Sequence, residues 1–365
     1  MELWKTPKLS LLPPEPERAQ TLSEIGLQHE ISSSLIPERN TRQPETVKHK
    51  NRPYKASDSG VPVIDLFNFD PQHSDQLRYE LRRACKDWGS FQIMNHGVPK
   101  KLLDDMRNAG RSFFNDCSME EKRKYSCDSN SAASEGYGSR MLVKDDSVLD
   151  WRDYFDHHTL PLSRRNPNRW PSFYRFCLDV MVEYSDHMKV LALKLLSMIS
   201  EGLNLPSSFI EDTVGEIYQN ITISYYPPCP QPDLTLGLQS HSDMGAITLL
   251  IQDDVEGLHV LKDGEWVTVQ SIPDAIVVIL ADQTEIITNG HYRSSQHRAV
   301  TNAHQARLSV ATFHDPAKSR KILPAAYLTN ENCPARYREV VYGDYVSSWY
   351  TKGPEGKRNI DALLL

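Results

Sequence analysis

The chain has 365 residues, of which 39% are hydrophobic and 24% charged, a composition typical of an ordinary globular protein. It excludes collagen-like, coiled-coil and wholly disordered chains, and the length predicts two domains or one large domain with extensions. The 41 basic and 48 acidic residues give a net charge of −7. Because no overall basic surface is available to neutralise phosphates, we expect no nucleic acid partner.

Neither a membrane-spanning segment nor a secretion signal is expected. The most apolar run covers residues 275–281, far short of the roughly 18 apolar residues that a spanning helix needs. The first thirty residues lack an apolar stretch followed by a cleavage site. The six cysteines include no Cys-x-x-Cys pair, unlike a zinc ribbon or an extracellular disulfide framework. We therefore expect a cytoplasmic protein with no membrane partner.

Residues 1–170 are predicted to divide into an arm and a mixed domain. Residues 1–58 are polar and rich in Pro and basic side chains, which predicts an arm without a core. Residues 59–170 are predicted to form an N-terminal domain. Its hydrophobic periodicity predicts strands over 61–66 and 90–94, helices over 76–85 and 100–114, and an edge strand over 151–161.

Residues 171–216 are predicted to form a helical support. Apolar residues recur at helical spacing over 173–183 and again over 188–203, which predicts two helices. Gly202 and Pro206 are typical of the end of the second helix.

From Ile217 the hydrophobic period changes to that of strands. Short runs rich in β-branched residues recur about every ten residues, divided by turn signals such as Asn289-Gly290. The eight predicted strands are ITISYY, AITLLIQ, LHVL, EWVTVQ, AIVVIL, EIIT, HRAV and RLSVATFH. Since no crossover helices separate them, we predict a barrel or a double-sheet jelly roll over 217–320. A helix over 335–349 and a tail complete the C-terminal unit, 321–365.

A candidate metal site lies in this β-rich region. On a strand, His241 and Asp243 would project to the same side, and strand pairing can bring His297 opposite them. Two histidines and one carboxylate are the ligand set of non-haem Fe(II) oxygenases. A His-x-Asp pair alone is more often structural, so this signal needs support from elsewhere in the chain.

That support comes from Arg307 and Ser309, which follow His297 on another predicted strand and share one of its faces. A guanidinium and a hydroxyl can together hold a carboxylate. A buried arginine without an anionic partner is costly. The pattern therefore predicts a carboxylate ligand beside the metal, although Arg307 alone would more often be an exposed residue of an edge strand.

Together these motifs resemble the plant 2-oxoglutarate- and Fe(II)-dependent dioxygenases, relatives of flavonol synthase, anthocyanidin synthase, and gibberellin and jasmonate oxidases. The resemblance extends from Val61 to the C-terminus. It includes the segments VPVIDL, ACKDWGSFQIMNHGV, EGYGSR and YYPPCP, in addition to His241-x-Asp243, His297 and Arg307-x-Ser309. One departure concerns Ser224, which stands where relatives usually have an asparagine.

The resemblance implies an α+β fold: a double-stranded β-helix, or jelly roll, flanked by N-terminal helices and a C-terminal helix. It implies that His241, Asp243 and His297 bind Fe(II). It also implies that Arg307, Ser309 and Tyr226 bind 2-oxoglutarate as co-substrate, and that ascorbate keeps the iron reduced. No catalytic residue is expected beyond the metal centre.

The expected reaction is hydroxylation or desaturation of a small plant metabolite by O₂, with release of succinate and CO₂. The positions expected to contact substrate are Phe313, His314, Asp315, Tyr137 and Arg140. A flavonoid or other phenolic substrate competes with a hormone such as a gibberellin or a jasmonate. A non-catalytic ligand-binding relative and an oxidase of the aminocyclopropane-carboxylate type remain alternatives. The sequence leaves the oligomeric state open.

Overall fold

The computed structural model of the chain describes residues 60–67, 75–127, 135–138, 150–171, 175–352 and 359–365. The predicted N-terminal arm, 1–58, and Arg140 lie outside the described residues.

The N-terminal region combines two short strands with helices. The elements are β1 (Val63–Asp65), α1 (Asp75–Asp87), β2 (Ser90–Met94), α2 (Lys100–Asp116) and α3 (Met119–Arg123). β1 pairs in parallel with β2. Helix α2 buries Leu102, Leu103, Met106 and Phe113, the apolar residues that recur at helical spacing. The predicted strands and helices of this region are thus confirmed.

The helical support contains α4 (Arg175–Gly202) and α5 (Phe209–Val214). The prediction of two helices over 173–203 was wrong, because α4 is one helix of 28 residues. Tyr184 and Met188, four positions apart, are both fully buried, so the apolar stripe continues through the supposed break. That segment also contains no Pro or Gly to interrupt the helix.

Two sheets form the core of the β-rich region. Besides β1 and β2, the strands of these two sheets are β3 (Gly136–Gly138), β4 (Asp153–Leu160), β5 (Tyr218–Tyr226), β6 (Leu236–His241), β7 (Ile247–Gln252), β8 (Leu258–Lys262), β9 (Glu265–Thr268), β10 (Ile276–Leu280), β11 (His297–Val300) and β12 (Arg307–Asp315). The larger sheet has the order β1-β2-β10-β7-β12-β5-β4-β3 and the smaller sheet β6-β11-β8-β9. This arrangement confirms the α+β fold with a jelly-roll core.

The two faces of the larger sheet have different environments. Helices α2 and α4 pack on one face, where they contact β12, and the opposite face looks towards the smaller sheet. Along β12 the side chains alternate: Leu308 and Val310 join the apolar core, whereas Arg307, Ser309 and Ala311 line a cavity between the sheets. The fold therefore places a functional cavity between the two sheets.

The run EIIT, predicted as a strand, is instead part of helix α6 (Asp282–Ile287). Every residue of this helix is buried, so its burial shows no alternation. Its two carboxylates accept hydrogen bonds from distant tyrosines, Tyr345 on Asp282 at 2.6 Å and Tyr337 on Glu285 at 2.5 Å. These partners come from the C-terminal segment, so local sequence could not reveal them.

The C-terminal helix, predicted over 335–349, begins later. Residues Val340–Val341 form strand β14, which pairs with β13 (Lys321–Ile322), and helix α7 covers Tyr342–Lys352.

Strand β4, which was predicted as an edge strand, is not at the edge of its sheet, because β3 lies outside it. Among the described helices, none combines the length and the apolar character needed to cross a bilayer.

Candidate metal and co-substrate site

The first part of the site is formed by the smaller sheet. His241, the last residue of β6, is the direct antiparallel partner of His297, the first residue of β11. Their ring centroids lie 4.3 Å apart. Asp243 follows two residues after β6, and its Oδ1 atom lies 3.5 Å from Nε2 of His241 and 3.6 Å from Nε2 of His297. All three side chains are buried.

Hydrogen bonds outside this triad fix the orientation of each member. Nδ1 of His241 lies 2.8 Å from the carbonyl oxygen of Gln239, and Nδ1 of His297 lies 3.0 Å from that of Ser295. A carbonyl oxygen can only accept, so Nδ1 carries a proton in each ring, and Nε2 is the nitrogen that holds the lone pair of the neutral imidazole. Thr248 donates to Oδ2 of Asp243 at 2.6 Å, which leaves Oδ1 facing the two imidazoles.

The protonation states of the triad suit a cation. Burial lowers the pKa of His297 to about 4, so this imidazole is neutral at neutral pH. Burial would raise the pKa of Asp243, but His297, His241 and the Thr248 hydroxyl together lower it to about 2. The site thus presents one carboxylate and neutral imidazole in a dry environment.

These residues fit a divalent iron ion. One donor atom from each of the three residues lies within 4.8 Å of the others. Among the described residues this is the one group of three or more His, Cys, Asp and Glu side chains that meets that geometry. Two imidazole nitrogens and a carboxylate on one side of a metal suit non-haem Fe(II) and leave the other side open. His157 and His158 do not take part in a comparable group.

A cationic group lies in the same cavity. Arg307 is 3% exposed and is the strand partner of Tyr226, whose ring centroid lies 5.2 Å from the guanidinium carbon. Its Nε donates to the carbonyl oxygen of Val255 at 3.1 Å, and its Nη2 donates to Oε1 of Gln252 at 3.0 Å. These neutral acceptors orient the guanidinium without cancelling its charge. Ser309, also buried, lies two residues along the same face.

The triad and Arg307 line one cavity of about 140 Å³. Its walls come from β4, β5, β7, β10 and β12 of the larger sheet, from β6, β8 and β11 of the smaller sheet, and from α7. Apolar side chains such as Leu238, Met244, Phe313 and Trp349 line it together with polar ones. A cavity with mostly apolar walls and a few convergent polar groups is typical of a small-molecule site.

The predicted substrate positions divide into two groups. Phe313 and Asp315 line the cavity, and burial raises the pKa of Asp315 to about 7. His314 lies between them on the strand, so it points to the other face, where its Nε2 lies 3.1 Å from Nε2 of Gln219. Its assignment to the cavity wall is therefore corrected.

Tyr137 also lies away from the cavity. It is fully buried in the apolar core, where its ring lies 5.7 Å from that of Phe113, and its hydroxyl donates to Asp153 at 3.4 Å. The segment around it forms strand β3 rather than a wall of the cavity.

Other residues of the site were not anticipated. Thr248 and Gln252, which contact Asp243 and Arg307, lie on β7 in a run that is otherwise apolar. Two polar residues at even spacing in an apolar strand were the available signal. Arg152 and Asp156, at alternate positions on and just before β4, also line the cavity.

Two segments of the chain match known protein families. Residues 217–316 match the 2OG-Fe(II) oxygenase superfamily. Residues 61–173 match the family described as non-haem dioxygenase in morphine synthesis N-terminal.

Individual relatives agree with these matches. The chain is 40% identical to jasmonate-induced oxygenase 4 of Arabidopsis thaliana over 85% of this chain and 88% of that protein. It is 38% identical to thebaine 6-O-demethylase of Papaver somniferum over 83% and 85%, respectively. The crystal structure of JOX2 in complex with 2OG, Fe and JA superposes with a TM-score of 0.85 at 33% identity, covering 96% of this chain and 99% of that one. The chain belongs to the 2-oxoglutarate- and Fe(II)-dependent oxygenases, as the sequence motifs predicted.

Proposed function

We propose that His241, Asp243 and His297 hold the Fe(II) ion of this oxygenase and that Arg307, Ser309 and Tyr226 hold its 2-oxoglutarate. The observation that carries this proposal is the convergence of three ligand atoms within 4.8 Å of one another in the cavity that Arg307 also lines. The guanidinium of Arg307 can pair with the distal carboxylate of 2-oxoglutarate, and the side of the metal site that the three protein ligands leave open can take its keto acid end.

When bound, Fe(II) and 2-oxoglutarate supply the chemistry that activates O₂, oxidises a C–H bond and releases succinate and CO₂. The protein's own residues provide position and environment. Thr248 and the two backbone carbonyls orient the ligands, while Gln252 and Val255 orient Arg307. Burial excludes bulk water from the triad, which strengthens these electrostatic contacts. The walls decide which C–H bond lies closest to the metal.

The substrate is a small plant metabolite, and the cavity walls support a partly aromatic one. Phe313 and Trp349 offer aromatic surfaces, while Asp156 and Asp315 offer polar contacts. A flavonoid or other phenolic compound fits this combination and is the leading class, with hydroxylation or desaturation as the reaction. A hormone is the second candidate, supported by the similarity to the JOX2 complex with JA. A non-catalytic role is disfavoured because all the predicted metal-ligand residues are present.

Ascorbate as reductant and a cytoplasmic location complete the proposal. Ferrous iron must be restored whenever it is oxidised without product formation, and a small reductant serves this purpose. Cys85, Cys229 and Cys333 are free thiols, which suits a reducing compartment. We also propose the division into an arm (1–58), an N-terminal domain (59–170), a helical support (171–216), a jelly roll (217–320) and a C-terminal unit (321–365).

The test is succinate formation from 2-oxoglutarate by the purified protein with Fe(II), ascorbate and a pooled plant metabolite extract. We expect succinate with the wild type and none above background with His241→Ala or Asp243→Ala, because two protein ligands hold Fe(II) poorly. Absence of succinate under every condition would contradict the proposal. Release of ethylene from aminocyclopropane carboxylate without succinate would favour an oxidase of that type.

A further inference from the structure

The cavity contains a second buried cation near Arg307. Arg152 directly precedes β4, is 4% exposed and lines the cavity. The β4–β5 ladder ends with Asp153 opposite Tyr225, so Arg152 lies beside Tyr226, whose other strand neighbour is Arg307. Two arginines therefore flank the tyrosine to which we assign a role in co-substrate binding.

The described contacts of Arg152 are a hydroxyl group and an aromatic ring, and no carboxylate of the described residues forms an ion pair with it. Its Nη1 donates to the hydroxyl oxygen of Ser224 at 3.3 Å, and its guanidinium carbon lies 5.0 Å from the ring centroid of Tyr154. Its Nε is buried and has no hydrogen-bond partner. Asp150 and Asp156 are close enough to interact with its charge. Neither of them, nor any other carboxylate of the described residues, forms an ion pair with it.

A cation in this position is unfavourable unless something pairs with it. A guanidinium removed from water loses its hydration, and an unpaired buried donor adds a further cost. A serine hydroxyl and an aromatic ring replace only part of that hydration. The guanidinium fork matches the geometry of a carboxylate, and the cavity is where such a group could enter.

We propose that Arg152 is a second carboxylate-binding residue of the active-site cavity. The proposal rests on the proposed function, because it assumes that the cavity holds the metal, 2-oxoglutarate and substrate. The carboxylate belongs either to 2-oxoglutarate or to an organic acid that serves as substrate. Ser224 holds the guanidinium at its position, which gives this hydroxyl a role where relatives usually have an asparagine.

The test compares the wild type with Arg152→Gln, Arg152→Lys and the control Arg164→Gln. Arg164 lies close to β4 in sequence, and its guanidinium carbon lies 5.0 Å from the ring centroid of Tyr218. Arg164 is not itself one of the residues that line the cavity. Calorimetric titrations without O₂, with Mn(II) in place of Fe(II), measure 2-oxoglutarate binding. A second series, with 2-oxoglutarate present, compares cinnamic acid with methyl cinnamate and jasmonic acid with methyl jasmonate. Circular dichroism checks the fold of each variant.

We expect Arg152→Gln to weaken carboxylate binding at least tenfold in one of the two series, while Arg164→Gln matches the wild type. Weaker 2-oxoglutarate binding identifies the co-substrate as the source. Loss of a wild-type preference for an acid over its ester identifies the substrate. Arg152→Lys should give an intermediate loss in the same series, and it decides the question if Arg152→Gln does not fold.

Two results would overturn the assignment. In the first, the wild type binds Mn(II) and 2-oxoglutarate and shows no preference for any acid over its ester, and the Arg152 variants bind 2-oxoglutarate with unchanged affinity. In the second, the wild type prefers an acid and the variants keep both that preference and their affinity for 2-oxoglutarate. In both cases the proposed function stands. Failure of the wild type to bind Mn(II) and 2-oxoglutarate would contradict the proposed function as well.

Discussion

His241 and His297 are direct partners across two antiparallel strands, with ring centroids 4.3 Å apart. The ladder shifts register between His297 and Ala299, so the pair lies next to an irregularity of the sheet. A shift of one residue would turn either side chain to the opposite face. The metal site therefore depends on this strand register as well as on the identity of its ligands.

Thr248→Val tests how the orientation of Asp243 affects metal binding. The change keeps the shape of the side chain but removes the donor to Oδ2 of Asp243. Mutation of a group that orients a metal ligand typically lowers metal affinity about 10- to 100-fold. We therefore expect the Fe(II) affinity to fall about tenfold in an anaerobic titration. The matched control is Thr312→Val, because Thr312 lies on the face of β12 that points away from the cavity. Equal affinities for the two variants would contradict the role of Thr248.

Arg307→Lys tests the anchor for 2-oxoglutarate. An ammonium group keeps the charge but cannot make the paired contacts of the guanidinium with a carboxylate, nor its present bonds to Val255 and Gln252. We expect the KM for 2-oxoglutarate to rise about tenfold or more, with Fe(II) binding preserved. An unchanged KM would show that the co-substrate lies elsewhere.

Gly257→Ala tests the same anchor without changing it. A Cβ at this position would lie 2.7 Å from Cδ and 3.1 Å from Nε of Arg307, a buried side chain with little room to move. We expect a higher KM for 2-oxoglutarate and a loss of about 1–3 kcal/mol in the free energy of unfolding. Gly60→Ala is the control, because nothing lies within 4 Å of the added atom. If both variants have the wild-type KM, the packing argument fails.

Several elements were predictable because their signal is local. The apolar stripe of α2 and the β-branched runs of β5, β7, β10 and β12 predicted these elements and the jelly roll. Helix α6 was missed because its carboxylates are paired with Tyr337 and Tyr345, far along the chain. Burial on both sides conceals the alternation that distinguishes strand from helix.

Within the site, the motifs predicted the residues that lie close to the cavity but not the direction in which every side chain points. Phe313 and Asp315 line the cavity and His314 does not, because strand alternation turns it to the opposite face. Tyr137 lies in a short strand whose packing against Phe113 depends on tertiary structure. Arg152 belongs to none of the motifs, and its proposed role in carboxylate binding follows only from its burial beside Tyr226.

The buried histidine His157 predicts a pH dependence of stability. Burial lowers its pKa to about 3, and its ring lies 4.2 Å from that of Phe155. Between pH 6.5 and 3 the unfolded chain binds a proton that the folded protein does not, so its contribution to stability falls as the pH decreases through this range. At pH 5 this loss is on the order of 2 kcal/mol.

His157→Phe should reduce the loss of stability between pH 7 and pH 5 by a similar amount, as measured by urea unfolding at both pH values. His304→Gln, at an exposed position, should behave as the wild type. If His157→Phe loses as much stability on acidification as the wild type, the imidazole is not the source of the effect.

The most direct measurement is a crystal structure grown without O₂ in the presence of Fe(II) and 2-oxoglutarate, with data collected at the iron absorption edge. We predict one iron peak bonded to Nε2 of His241, Nε2 of His297 and Oδ1 of Asp243, with the distal carboxylate of 2-oxoglutarate on Arg307. Iron bound by other residues, or 2-oxoglutarate outside this cavity, would contradict the account.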